Sequence, residues 1–155
     1  QKNEWDANGE LDWWLLDAGP YHAGVQRFVA DLNRLYTAQP ALWRGDHDPA
    51  GFQWIDCADT ENSVLSFLRR PLGPGSELVA ILNLTPNARH AYRVGMPRPG
   101  FWRELLNSDA ALYGGGDVGN AGGVRTEPYQ VHGQPCSAVM VLPPLGAMVF
   151  EWAGD

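Results

Sequence analysis

Between Glu4 and Asp17 the chain carries five acids, Glu4, Asp6, Glu10, Asp12 and Asp17, and three tryptophans, Trp5, Trp13 and Trp14. Two carboxylates on rigid elements can cleave a glycosidic bond, one protonating the leaving oxygen while the other attacks or assists. Glu4, Asp6, Glu10 and Asp12 lie close enough in sequence to supply such a pair. Nothing in the stretch fixes their geometry, because it has neither helical nor strand periodicity, and the interleaved indoles point to binding rather than proton transfer. A sugar ring offers an apolar C–H face to an indole and a rim of hydroxyls to carboxylates and amides. Trp5 and Trp13 are accordingly assigned to a sugar-facing side of the loop, whereas Trp14, Leu15 and Leu16 serve equally well as anchors on a core.

Other chemistries find less support. A nucleophilic triad needs a base positioned beside Ser or Cys, yet His22, His47, His90 and His132 are scattered and no Gly-x-Ser-x-Gly elbow is present. Asp46-His47-Asp48 could ligate a cation, but it runs into Pro49-Ala50-Gly51 and reads as a solvated turn. Gly114-x-Gly116-x-x-Gly119 matches the lettering of a dinucleotide fingerprint without the preceding strand and following helix that aim N–H groups at a pyrophosphate. Six of the eleven residues from 113 to 123 are glycine, so the stretch is expected to be the least ordered part, a mobile surface loop. No metal or cofactor site is expected.

A net charge of −7 opposes binding to nucleic acid or to an anionic membrane. No apolar run approaches the ~20 residues that span a bilayer. Cys57 and Cys136 lack metal-ligand spacing and sit beside strand-like sequence, which favours a pair of reduced core thiols in a cytosolic protein. The chain begins at Gln1 without an initiator Met or a signal-like region and reads as cut from a longer polypeptide.

The elements that would position these residues follow from periodicity. Val25, Phe28, Val29, Leu32, Leu35 and Tyr36 recur at helical intervals, with Gln26, Arg27, Asp31, Asn33 and Arg34 between them. This predicts a helix over 22–38 whose face of Phe28, Val29, Leu32 and Leu35 is buried against the β-sandwich or the opening loop. Beyond Pro40 the chain becomes short apolar runs between turn residues, predicting strands over 52–57, 63–69, 77–84, 91–94, 102–106, 129–132, 138–142 and 147–152. Met148, Phe150 and Trp152 fall on one side of the last. Seven or eight close-spaced strands without intervening helices predict a mainly β fold, an antiparallel sandwich or barrel.

Taken together, Glu4-Trp5-Asp6 through Leu11-Asp12-Trp13, the segment Gly24-Val25-Gln26-Arg27-Phe28-Val29-Ala30-Asp31-Leu32-Asn33-Arg34-Leu35-Tyr36 and Pro40-Ala41-Leu42 resemble bacterial glycogen branching enzymes of the α-amylase superfamily. The likeness continues through Asp48-Pro49-Ala50-Gly51-Phe52-Gln53-Trp54-Ile55, Asn62-Ser63-Val64-Leu65-Ser66-Phe67, Pro99 to Asp109 and Leu142-Pro143-Pro144-Leu145. The resemblance implies an intact enzyme with an N-terminal β-sandwich region, a (β/α)8 catalytic barrel and a C-terminal Greek-key β-sandwich. Residues 1–41 would then be the last loop and helix of the barrel, and 42–155 the sandwich. The family's nucleophilic Asp, acid/base Glu and second Asp match no position here, so no catalytic residue is carried over. Because barrel active sites form from the loops that follow the strands, Trp5, Asp12 and Trp13 would lie near a glucan cleft.

The implied function is transfer of a cut α-1,4-glucan segment to a 6-hydroxyl through a covalent glycosyl-enzyme intermediate, without cofactor, in the cytoplasm. The present chain would be catalytically silent and would buttress the missing barrel. Two alternatives stand beside this: a self-sufficient glucan-binding module, and the C-terminal domain of another superfamily enzyme such as a trehalose-releasing hydrolase.

Overall fold

The computed structural model describes residues 8–155. Eight strands, β1 (Phe52–Asp59), β2 (Val64–Arg69), β3 (Leu78–Asn83), β4 (Arg89–Met96), β5 (Phe101–Asn107), β6 (Gly123–Arg125), β7 (Cys136–Leu142) and β8 (Gly146–Gly154), follow one helix, α1 (Pro20–Ala38). A six-stranded sheet in the order β1-β2-β3-β8-β5-β6 faces a two-stranded sheet, β4-β7. Every pairing between these strands is antiparallel.

Strand periodicity builds the core. Along β2, Val64, Ser66 and Leu68 are buried while Leu65, Phe67 and Arg69 are only half-buried, so successive residues serve opposite faces. The same alternation buries Met148 and Phe150 of β8, with Trp152 packed against the cluster. Leu68, Val79, Trp102 and Phe150 of the large sheet meet Val94, Met96, Ala138 and Met140 of the small one. Trp102 contributes its whole apolar area because its indole N–H donates to the Arg98 carbonyl at 3.2 Å, leaving no orphan donor. Asn83, also buried, donates to the carbonyls of Asn87 at 2.8 Å and Pro143 at 2.9 Å, closing the turn between β7 and β8 onto the end of β3.

One expected strand is absent and one strand was not expected. Residues 129–132 form no strand: His132 and Gly133 have φ of 52° and 69°, and Val131 and Gln134 bridge across a tight turn instead. The eighth strand is β6, at the end of the glycine-rich stretch, where Val124 is buried opposite Trp102. A Cβ at Gly123 would overlap the Phe101 ring, so this strand needs glycine next to a large partner, and its three residues leave too short a pattern to read.

The glycine-rich stretch is held by specific bonds rather than left loose. Asp109 accepts from the backbone N–H groups of Gly116 at 2.9 Å and Val118 at 3.0 Å, and Asn107 donates to the Val118 carbonyl at 2.9 Å. Asn120 exchanges two hydrogen bonds with the Val141 backbone, at 3.0 and 2.8 Å. A strand follows the glycines where a dinucleotide motif requires a helix. Among the described residues no helix is long and apolar enough to cross a membrane. Both cysteines are free thiols, but only Cys136 belongs to the core; Cys57 is exposed because it faces outward from β1.

Candidate functional site

The described part of the opening stretch is a 3-10 turn, Trp13–Leu16, joined to α1 by only Asp17, Ala18 and Gly19. Backbone N–H groups of Leu15, Asp17 and Ala18 donate to the carbonyls of Asp12, Trp14 and Leu15, winding the segment tightly. Pro20 then starts α1, its fixed φ suiting a first helical residue. The helix ends where Gln39 is forced to an extended conformation ahead of Pro40.

The turn leaves its indoles outward: Trp13 is 61 % and Trp14 64 % exposed. Asp12 is half-buried, and its Oδ1 accepts from the Trp14 indole N–H at 3.3 Å. Leu11, Asp12, Trp13, Leu15 and Leu16 from this segment and His22, Val25 and Gln26 from α1 line an open groove of about 300 Å³. Asp12 and Trp13 are thus brought together on one wall; Trp5, with Glu4 and Asp6, lies outside the described residues. Trp14 is exposed, so the anchoring role open to it at the sequence level belongs only to the half-buried Leu15 and Leu16. Sequence reasoning also passed over His22 and Gln26, whose four-residue spacing puts them on the helix face that borders the turn.

The helix packs differently from expectation. Gly24, Phe28, Asp31 and Leu35 form the ridge that meets the sandwich, whereas Val25, Val29, Leu32 and Tyr36 form a parallel ridge open to solvent. Leu32, expected inside, is 40 % exposed. The physical reason is a polar clamp on the first ridge. Arg27 Nη1 donates to the Leu112 carbonyl at 2.6 Å, the Tyr113 hydroxyl donates to Asp31 Oδ2 at 2.9 Å, and Phe28 stacks edge-on to Tyr113 at 5.2 Å. Arg27 and Asp31, which periodicity alone assigns to the wet face, are part of the contact.

This arrangement can hold an extended polar ligand with apolar faces, by indole contact and carboxylate acceptance. Among the described residues the geometry defines no proton-transfer pair. Asp46 pairs with Arg69, and Asp48 caps the turn Pro49–Gly51 by accepting from the Ala50 N–H at 2.8 Å. No group of three or more metal-ligating side chains occurs among the described residues.

Comparison with known proteins is consistent in one direction. The family model of the alpha amylase C-terminal all-beta domain matches residues 54–153. The chain is 56 % identical over 149 residues to a 1,4-alpha-glucan branching enzyme of Cereibacter sphaeroides, covering 96 % of this chain and 20 % of that protein. It is 52 % identical over 151 residues to one of Synechococcus sp. strain CC9605, covering 97 % and 20 % of the two chains. For one of Aromatoleum aromaticum the identity is 54 % over 148 residues, with 96 % and 23 % covered. The chain therefore spans about one fifth of the length of the curated relatives it matches.

Proposed function

The chain belongs to the family of alpha-amylase C-terminal all-beta domains, and from that premise we propose that it is the C-terminal portion of a 1,4-alpha-glucan branching enzyme. The parent enzyme cuts an α-1,4-glucan chain, holds the segment as a covalent glycosyl-enzyme, and transfers it to a 6-hydroxyl to form an α-1,6 branch. The reacting carboxylates belong to a catalytic barrel outside this chain, and the reaction needs no cofactor. Residues 1–41 complete that barrel and 42–155 form the sandwich that buttresses it. A cytoplasmic location accompanies this reading.

The observation that carries it is 56 % identity over 149 residues to a named branching enzyme. The open ridge of Val25, Val29, Leu32 and Tyr36 supports it, since an apolar helix stripe in water is the face expected to pack on a neighbouring element. In this account Trp5, Asp12 and Trp13 meet the glucan, the indoles against C–H faces and the carboxylate on hydroxyls. Incubating amylose with the full-length protein and with the isolated chain tests the assignment. The full-length protein lowers the iodine absorbance and creates α-1,6 linkages, and the isolated chain does neither; branching by the isolated chain contradicts the account.

A further inference from the structure

The glycine-rich stretch has a place in the fold that its lettering does not announce. The 3-10 turn Ala111–Tyr113 and Gly114 form a socket under the first half of α1. A Cβ at Gly24 would overlap the Tyr113 carbonyl, so helix and turn touch backbone to backbone. Gly114, at φ 86°, lies against Tyr21 and Pro20 in the first turn of the helix. The bonds of Arg27 to the Leu112 carbonyl and of Asp31 to the Tyr113 hydroxyl then fix the rotation of the helix about its axis, because they engage side chains four apart on one ridge. The socket is rigid in turn: a Cβ at Gly115 would overlap the Asp109 backbone, and the Asp109 carboxylate gathers the N–H groups of Gly116 and Val118.

The rotation matters because the Trp13–Leu16 turn is joined directly ahead of the helix. Three residues separate the two, and His22, Val25 and Gln26 of the helix form one side of the groove whose other side carries Asp12 and Trp13. We propose that Tyr113, with Gly24 as its seat, is a positioning residue that sets the orientation of the Asp12–Trp13 loop from the sandwich side and thereby tunes how the parent enzyme engages glucan. The claim about glucan rests on the function proposed above; the claim about loop orientation does not. An intimate backbone seat plus two directional bonds forms a defined register, since turning the helix by one residue, about 100°, would break all three contacts together.

Two variants separate the possibilities. Tyr113→Phe removes the hydroxyl bond to Asp31 and keeps the ring; Gly24→Ala forces the seat apart. In this chain, amide hydrogen exchange over 8–19 should speed up in both variants while exchange in β3, β8 and β5 stays as it was. In the full-length enzyme, KM for amylose should rise about three- to tenfold with kcat changed less, as expected for a displaced binding group rather than lost chemistry. Trp13→Ala serves as reference, and its effect on KM should be less than additive with that of Tyr113→Phe. Unchanged exchange over 8–19, or faster exchange confined to the sheets, overturns the positioning role. If Trp13→Ala leaves KM unchanged while loop exchange responds to Tyr113→Phe, the glucan assignment fails and the positioning role stands.

Discussion

The Tyr92 hydroxyl donates to Asp59 Oδ2 at 2.6 Å, joining β4 of the small sheet to β1 at the edge of the large one. Asn62 adds bonds to both oxygens of the same carboxylate, at 3.1 and 2.9 Å. The Tyr92 hydrogen bond, the largest influence, holds the Asp59 carboxyl below the usual range against burial, which comes next and raises it, and the Asn62 bonds add to the lowering. Burial and the bond to Asp59 push the Tyr92 phenol well above its ordinary value.

The signs of the two shifts give opposite pH windows. Asp59 is more acidic folded than unfolded, so its contribution is present above the unfolded carboxylate range and is lost as pH falls through the lowered value. Tyr92 is less acidic folded, so its contribution is full below the ordinary phenol value and is lost as pH rises through the raised one. Tyr92→Phe should therefore cost about 1 kcal/mol at neutral pH and flatten the acid limb of the stability curve. Denaturant melts of both proteins at several pH values check this; an acid limb of unchanged slope would assign the stabilisation elsewhere.

Phe150 and Leu32 should respond very differently to truncation. Phe150 is fully buried between the sheets, so Phe150→Ala should cost about 3 to 5 kcal/mol in this chain. Leu32 stands on the open ridge at 40 % exposure, and Leu32→Ala should cost less than about 1 kcal/mol here. In the full-length protein the Leu32 cost should rise toward the buried range of about 2 to 5 kcal/mol as the ridge is covered. Equal costs in chain and full-length protein would show that the ridge stays in water.

Much of the sandwich was legible in its strands: the last alternates, with Met148, Phe150 and Trp152 on the core side, whereas Val64, Leu65, Phe67 and Leu68 read as a strand covered on both faces, and Leu65 and Phe67 are half-buried on the outer one. Three features were not. β6 has three residues, fewer than one full alternation plus a boundary, and its pairing depends on Gly123 yielding space to Phe101. The helix was found from its period, but which of two adjacent ridges meets the sandwich depends on Tyr113, some eighty residues along the chain, through its bond to Asp31. The opening loop was legible in composition alone: Trp13 and Asp12 do share a groove, yet exposure of Trp14 and the place of His22 in the groove wall follow from how the turn joins the helix.

Glu104 offers a substitution that should stabilise. Its Oε2 is buried with no hydrogen-bond partner among the described residues, and burial pushes the carboxyl up despite bonds from Asn120. The ionised form is thus disfavoured in the folded state, and this group's contribution to stability falls as pH rises through the carboxylate range. Glu104→Gln should raise Tm at about pH 7, with the gain shrinking as pH falls through the carboxylate range and vanishing below about pH 4, as both states of the parent chain become protonated. A lower Tm at neutral pH would mean that the charge is satisfied.

The central claim, that the Asp12–Trp13 loop serves glucan and not the core, is tested most directly by Trp13→Ala in the full-length enzyme, with branching kinetics and Tm measured together. Loss of an indole face worth about 1 kcal/mol or more should raise KM for amylose roughly fivefold or more. Tm should move little, because Trp13 is 61 % exposed. A large fall in Tm with unchanged kinetics would contradict the claim and make Trp13 a packing residue.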